Sequence, residues 1–208
     1  MRNFDNSFLS FNNATLAGTD EAGRGPLAGP VVAAAVILPN KFYDERINDS
    51  KKLSSNLREE LFYVIRKNAL VYAYTEISHK KIDEINILQA SLLAMKRSIK
   101  KLKIKPETIL VDGNKSFSYE ADVISIIKGD SKSLSIASAS IIAKVVRDRI
   151  MIRLSKKYPQ YGWDKNKGYP TKEHIKAILE FGACPLHRIT FLKKIFERSN
   201  QTDLFLKG

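Results

Sequence analysis

The sequence predicts a mixed α/β fold, in which one sheet is covered by helices. Residues 31–38 form an uninterrupted apolar run, which is typical of a strand buried on both faces. Residues 81–102 instead carry apolar side chains at helical spacing, at Ile82, Ile85, Leu88, Leu92, Met95 and Ile99. Because strand-like and helix-like patterns of this kind alternate along the chain, we expect a layered α/β domain.

The remaining elements follow from the same two patterns. The strand candidates cover residues 15–20, 31–38, 71–77, 108–112 and 123–127, and the helix candidates cover residues 56–68, 81–102, 135–156, 171–181 and 185–196. Residues 159–170 are expected to form a loop rich in aromatic and basic side chains. We expect a single domain at residues 14–198, with a flexible leader at residues 1–13 and a tail at residues 199–208.

Composition narrows the class of protein. The 208 residues are 44% hydrophobic and carry a formal net charge of +13, which favours polyanionic partners, although AT-rich codon usage would also enrich a chain in lysine. Cys184 is the only cysteine, so an intrachain disulfide and a cysteine-based zinc cluster are excluded. No apolar stretch reaches the ~20 residues that span a bilayer. We expect a cytoplasmic, monomeric protein that does not enter membranes.

Four acids follow the predicted strands. Asp20 and Glu21 end the first strand, Asp112 ends the fourth, and Asp130 follows the fifth. Ligand sites of open α/β sheets form at the carboxyl ends of strands, and converging carboxylates need a cation. Carboxylate ligands without histidine or cysteine select Mg²⁺ or Mn²⁺, and two such ions can flank a phosphate. Taken singly, each acid fits an ordinary turn or a solvated loop better than a catalytic role.

Longer segments around these acids carry a more specific pattern. They are residues 18–32 (GTDEAGRGPLAGPVV), 49–54 (DSKKLS), 111–114 (VDGN), 128–130 (KGD), 137–148 (ASASIIAKVVRD), 168–174 (GYPTKEH) and 187–188 (HR). In this order they resemble the signature segments of type 2 ribonuclease H, the bacterial ribonuclease HII family. The resemblance spans about residues 16–191. Thr190 departs from it, since a serine is expected there.

The resemblance implies a fold and an activity. The fold would be ribonuclease H-like, a five-stranded mixed sheet flanked by helices with a C-terminal helical part. The activity would be hydrolysis of the RNA strand of RNA–DNA hybrids and incision 5′ of single ribonucleotides in duplex DNA. Two Mn²⁺ or Mg²⁺ ions would be held by Asp20, Glu21, Asp112 and Asp130. The products would carry 5′-phosphate and 3′-hydroxyl ends.

The resemblance also implies a substrate site. Gly23, Arg24 and Gly25 would contact the ribonucleotide, and Tyr169 would lie at the RNA-to-DNA junction. The residue types fit these roles, because glycines permit close approach to a 2′-hydroxyl and an arginine can pair with a phosphate. Lys51 would bind the nucleic acid backbone. Each segment has a plainer reading as a tight turn or a solvated loop.

The sequence leaves open the role of the C-terminal tail and two alternatives to the function given above. Residues 201–205 (QTDLF) resemble short peptides that dock on the bacterial sliding clamp, although five residues match easily by chance and an end that packs on its own domain or frays is the favoured reading. The same carboxylate chemistry also serves nucleases that act on DNA alone. A third reading is an inactive module that only binds hybrids.

Overall fold

The computed structural model describes residues 1–9, 15–193 and 195–197. Its centre is one five-stranded sheet in the order β3-β2-β1-β4-β5. The strands are β1 (Leu16–Ala22), β2 (Val31–Ile37), β3 (Val71–Ile77), β4 (Thr108–Asp112) and β5 (Asp122–Ile126). The β1–β2 and β2–β3 pairs are antiparallel, whereas the β1–β4 and β4–β5 pairs are parallel. This confirms the predicted mixed sheet.

Helices cover both faces of the sheet. They are α1 (Arg2–Asn6), α2 (Ser55–Asn68), α3 (His79–Lys100), α4 (Leu134–Ser155), α5 (Trp163–Asn166) and α6 (Lys172–Phe181). Apolar side chains of α2 and α4 form one core with β2, and those of α3 form a second core with β1, β2 and β4. The four longest helices each begin after a capping side chain that accepts a backbone N–H, from Ser54, Ser78, Ser133 and Thr171.

The start of α4 lies directly against β1. A Cβ built on Gly18 would stand 2.2 Å from the backbone carbon of Ser135, so only glycine permits this approach. Ala137, Ser138 and Ala139 continue the line of small, buried residues along the helix. This close contact places the first half of α4 beside the end of the strand that carries Asp20.

A helical part at the C-terminal side packs against the turn that follows β1. Its core includes Trp163 and Tyr161, whose rings stack at 5.3 Å, together with Leu27 from the turn. Leu27 donates its N–H to the carbonyl of Gly168 and accepts one from Arg188. These bonds fix the turn after β1 against the C-terminal part.

Several elements differ from the sequence-based expectation. Residues 2–6 form a helix where a flexible leader was predicted, because the buried carboxylate of Asp5 accepts hydrogen bonds from Ser135 N and Oγ at 2.9 and 2.8 Å. The predicted loop at residues 159–170 contains α5 and a short 3-10 turn, Pro159–Tyr161. The predicted helix at residues 185–196 begins only at residue 189. The predicted tail, residues 199–208, lies outside the described residues.

Among the described helices, none combines the length and the apolarity that a membrane-spanning segment needs.

Candidate active site

Three carboxylates meet where β1 and β4 end. Asp20 lies in β1 and is 4% exposed, and Asp112 is the last residue of β4. The two strands are parallel neighbours that pair Thr19 with Val111, so the residues that follow, Asp20 and Asp112, lie side by side. Asp130 completes the group, because carboxylate oxygens of all three residues lie within 4.8 Å of one another. The structure therefore brings together three of the four acids predicted to converge.

The turn after β5 brings Asp130 to this position. Lys128 has a left-handed φ of 55°, and residues 129–131 form one turn of 3-10 helix. The Oδ1 atom of Asp112 accepts hydrogen bonds from the backbone N–H of Gly129 at 2.7 Å and of Asp130 at 3.4 Å. One metal-ligand candidate thus holds the backbone that carries another.

Asp20 is oriented by the buried Ser140, which in turn contacts Ser50. Its side chain forms a hydrogen bond with Ser140 of α4, and the Oγ atoms of Ser140 and Ser50 lie 2.8 Å apart. The Oδ1 atom of Asp20 also accepts the backbone N–H of Glu21 at 2.7 Å. The direction of the Asp20 carboxylate therefore depends on α4 and on the loop that contains Ser50.

The crowding of these acids disfavours their charged forms. Burial raises the pKa of Asp20 well above its usual range, and the charges of Glu21 and Asp112 raise it further. Burial and the charge of Asp130 likewise raise the pKa of Asp112. A dication between the carboxylates would remove this repulsion, and oxygen ligands alone suit hard ions. The three-carboxylate group therefore fits a divalent metal ion.

Glu21 follows Asp20 near the end of β1, and a hydrogen bond joins the two carboxyl groups. The carboxylate of Glu21 lines a small cavity of about 30 Å³ together with Asp112, Arg24 and Ser91 of α3. Burial raises the pKa of Glu21, Arg24 at 3.3 Å acts to lower it, and the charge of Asp112 acts to raise it. Asp112 thus borders both the group with Asp20 and the cavity with Glu21.

Lys51 places a positive charge at the edge of the acidic group. Its Nζ atom lies 3.5 Å from Oδ2 of Asp130, and its side chain is 78% exposed. Burial acts to lower the pKa of Lys51, but the surrounding carboxylates, led by Asp130 and Asp20, outweigh this and raise it. The lysine predicted to bind nucleic acid is therefore positioned between the acids and solvent.

The turn after β1 forms an exposed surface with Tyr169. Arg24 and Gly25 are exposed, and a Cβ built on Gly25 would lie 3.7 Å from the Tyr169 ring. The Nζ atom of Lys144 lies 5.5 Å from the centre of the same ring. Because Arg24 also contacts Glu21, this surface adjoins the acidic group.

The absence of a side chain at Gly23 makes room for a buried arginine and not for a substrate. The sequence suggests that both glycines of the turn clear space for a substrate, but Gly23 is buried and has a φ of +102°. A Cβ on Gly23 would stand 2.1 Å from the Nε atom of Arg147. Its missing side chain makes room for a buried arginine, whereas Gly25 faces outward.

Comparison with known proteins agrees with this geometry. The family model described as Ribonuclease HII matches residues 17–196. The chain belongs to the ribonuclease HII family. The ribonuclease HII of Ruminiclostridium cellulolyticum is 51% identical over 197 residues, covering 95% of this chain and 77% of that protein. The ribonuclease HII of Caldanaerobacter subterraneus subsp. tengcongensis is 54% identical over 182 residues, covering 88% and 76%. A hydrolase of the ribonuclease H type follows from this membership.

Solved structures of the ribonuclease HII and related families share the fold. Ribonuclease H2 from Pyrococcus horikoshii has a TM-score of 0.73 and 32% identity, over 88% of this chain and 98% of that chain. The ribonuclease HII in a PCNA complex from Archaeoglobus fulgidus has a TM-score of 0.69 and 28% identity, over 86% and 96%. These neighbours confirm the predicted ribonuclease H-like fold.

Some residues that shape this ribonuclease HII site are not evident from sequence patterns. Ser50 and Ser140 resemble ordinary turn and packing residues, although the Ser140 hydroxyl bonds Asp20 and the Ser50 hydroxyl bonds Ser140. Arg147 and Arg188 carry a charge, yet both are fully buried. Burial of a cation is rare, so a charged residue type alone gives no reason to expect these two arginines in the interior.

The departure at Thr190 leaves its contact intact. The hydroxyl and the backbone N–H of Thr190 both donate to Asp83 of α3. A serine would supply the same two donors. Asp83 also accepts the N–H of Ile189 at 2.9 Å, so it caps the helical residues that begin there.

Proposed function

We propose that this protein is a metal-dependent endonuclease that hydrolyses the RNA strand of RNA–DNA hybrids and incises 5′ of single ribonucleotides in duplex DNA. The products would carry 5′-phosphate and 3′-hydroxyl ends. The observation that carries the proposal is a group of buried carboxylates directly beside an exposed glycine-containing turn and a tyrosine. The acids supply a place for cations that bind phosphate, and the adjoining surface supplies a place to recognise a sugar.

Asp20, Glu21, Asp112 and Asp130 would hold the metal, which we propose to be two Mn²⁺ or Mg²⁺ ions. Bound ions of this kind activate water and stabilise the oxygens of a phosphate under attack. The protein's own contribution is to fix the ligands. Asp20 is held by Ser140, and Asp112 holds the backbone of Asp130.

The exposed surface beside the acids would recognise the ribonucleotide. Its 2′-hydroxyl is the group that separates RNA from DNA, and it is reached only by close approach. The outward face of Gly25 permits that approach, and its neighbour Arg24 is free on one side to pair with a phosphate. Tyr169 offers a flat ring next to Gly25 on which a sugar can pack. Lys51 would neutralise a phosphate that lies across Asp130.

A clamp-binding role for residues 201–205 is a second, separate proposal. The Archaeoglobus fulgidus relative was solved in complex with PCNA, a sliding clamp. The segment itself lies outside the described residues, so the proposal rests on the sequence alone. Deletion of residues 200–208 should abolish binding to a bacterial sliding clamp in a pull-down and leave cleavage unchanged. Clamp binding that survives the deletion would refute it.

The function is tested with two duplexes of identical sequence. One carries a single ribonucleotide and the other is all DNA, and each is incubated with and without Mn²⁺ or Mg²⁺. We expect metal-dependent nicking 5′ of the ribonucleotide and none of the all-DNA duplex. The Asp20→Asn variant should bind the duplex but not cut it. Cutting of both duplexes would indicate a DNA nuclease, and binding without cutting would indicate an inactive hybrid-binding module.

A further inference from the structure

Two arginines lie buried directly behind the exposed turn. Arg147 of α4 and Arg188 of the C-terminal part are both 0% exposed. In the described part of the chain their side chains form seven hydrogen bonds, all of which go to backbone carbonyls. Burying a cation is costly unless all of its donors are satisfied. Because all of these hydrogen bonds go to main-chain atoms, the two arginines fix the path of the backbone that they bind.

Arg188 binds both ends of the turn. Its Nη2 atom donates to the carbonyl of Gly23 at 2.7 Å and its Nη1 atom to that of Arg24 at 3.0 Å. The Nε atom donates to the carbonyl of Gly29 at 3.0 Å, and Nη2 also reaches that of Pro30 at 3.2 Å. A planar guanidinium is suited to such a fan of acceptors, whereas a lysine ammonium is not.

Arg147 joins the turn to the tyrosine loop. It donates to the carbonyls of Pro30 at 3.0 Å and Ala28 at 3.3 Å, and across to Lys167 at 3.0 Å. Its guanidinium carbon also lies 5.7 Å from the centre of the Tyr169 ring, within the range of a cation–π contact. The two halves of the exposed surface therefore share one buried anchor.

The direction of these carbonyls determines what the turn presents to solvent. In a trans peptide the C=O of one residue and the N–H of the next point in opposite directions. The carbonyls of Gly23 and Arg24 point inward to Arg188, so the N–H groups of Arg24 and Gly25 point away from it. An outward pair of N–H donors is the arrangement that can bind an oxygen of a sugar or phosphate.

The buried charges also act on an anion at the surface. Burial and the neighbouring charge of Arg147 lower the pKa of Arg188 to about 9, which leaves its guanidinium protonated at neutral pH. The positive charges of Arg147 and Arg188 lie directly behind the turn. They therefore attract a phosphate bound on its outer side.

We propose that Arg147 and Arg188 are positioning residues for ribonucleotide recognition. By binding the inward carbonyls of residues 23–30 they hold the N–H groups of Arg24 and Gly25 outward and keep the turn against Tyr169. The inference rests on the proposed function, since it concerns how the same surface distinguishes a ribonucleotide from a deoxyribonucleotide.

The first test measures discrimination rather than activity. Dissociation constants are determined in EDTA, which prevents metal-dependent cleavage, for a duplex with one ribonucleotide and for the all-DNA duplex of the same sequence. We expect Arg147→Lys and Arg188→Lys to lower the ratio of the two affinities at least about fivefold, because lysine keeps the charge but loses the fan of donors. The matched control is Leu61→Ala, which destabilises the core around α2 but keeps both arginines and their carbonyl partners, and it should leave the ratio unchanged.

The second test begins with the unaltered protein, so its decisive measurement does not depend on whether a lysine variant folds. The chain has ten glycines, so ¹⁵N-glycine labelling gives a simple spectrum in which Gly23 and Gly25 can be followed. In the unaltered protein their amides should be as rigid on the ps–ns timescale as that of buried Gly18. In Arg188→Lys, the Gly23 and Gly25 signals should shift, while that of Gly182 should stay in place. Mobile Gly23 and Gly25 amides in the unaltered protein would overturn the inference.

The outcomes separate this inference from the function on which it rests. If the unaltered protein binds both duplexes equally and cuts neither, the proposed function fails. If it prefers and cuts the ribonucleotide duplex, and both lysine variants keep that preference, only the positioning role fails. A loss of preference in the Leu61→Ala control of the same size as in the arginine variants would also overturn it, because general instability would then explain the effect.

Discussion

The substitution Gly23→Ala tests the assignment of Gly23 to internal packing. The added methyl would stand 2.1 Å from Nε of Arg147 and 2.9 Å from the carbonyl oxygen of Pro30. Its backbone φ of +102° is also one that alanine rarely adopts. The backbone strain costs about 1–3 kcal/mol and the overpacking about 1–3 kcal/mol. We therefore expect the free energy of unfolding to fall by about 2–6 kcal/mol.

Urea denaturation followed by circular dichroism measures this change, with Gly25→Ala as the matched control. A methyl on Gly25 would meet only the Tyr169 ring, at an ordinary contact distance of 3.7 Å. Its stability should stay within about 1 kcal/mol of the unaltered protein, while its affinity for the ribonucleotide duplex falls. If the two variants were equally stable, the reasoning that places Gly23 inside and Gly25 outside would be refuted.

Three further predictions concern the metal group and the C-terminal part. Mn²⁺ should raise the Tm of the unaltered protein by several degrees and that of Asp112→Asn by much less, and equal shifts in a thermal scan would contradict a role for Asp112 in metal binding. Ser140→Ala should lower kcat on the ribonucleotide duplex about tenfold, because Asp20 loses its buried partner, and an unchanged kcat would exclude that role. Burial, and to a smaller extent the neighbouring His174, lowers the pKa of His187 from 6.5 to about 4. As the pH falls, the unfolded chain therefore binds a proton at this residue before the folded protein does. Stability should therefore fall by up to about 3 kcal/mol between pH 6.5 and 4, and His187→Gln should flatten this loss in denaturation curves measured across that range.

The regular elements were predictable because their patterns are local. The third and fourth strands occupy the predicted residues 71–77 and 108–112, and the other strands and long helices differ by one or two residues at their ends. The helix at residues 2–6 was not predictable, since Asp5 is fixed by Ser135, 130 positions away. The break in α3 at Asn86 was also missed. That residue has a φ of 65°, and its side chain caps a new helical segment by accepting the N–H of Gln89.

The sequence identifies many of the residues of the candidate site but not how they are arranged in space. Apolar runs that end in acids identified Asp20 and Asp112, because parallel strands place such ends at one edge of a sheet. That Glu21 adjoins Asp20 is evident from the sequence, whereas its approach to Asp112 across a small cavity is not. The buried arginines could not be found in this way, because no local pattern distinguishes a guanidinium bound to carbonyls from one in solvent.

Helix α4 connects the metal group to the recognition surface. Ser140 contacts Asp20, Lys144 lies over the ring of Tyr169, and Arg147 binds the turn from behind. These residues are spaced by four and three positions, so they lie along one face of the helix. Ser140 and Arg147 are seven residues apart, which corresponds to about 10 Å along the axis. Because the helix is packed tightly on β1 at Gly18, this spacing is fixed before any substrate binds. A change that shifts α4 along the sheet should therefore alter metal binding and ribonucleotide discrimination together, whereas a change confined to the Tyr169 loop should alter discrimination alone.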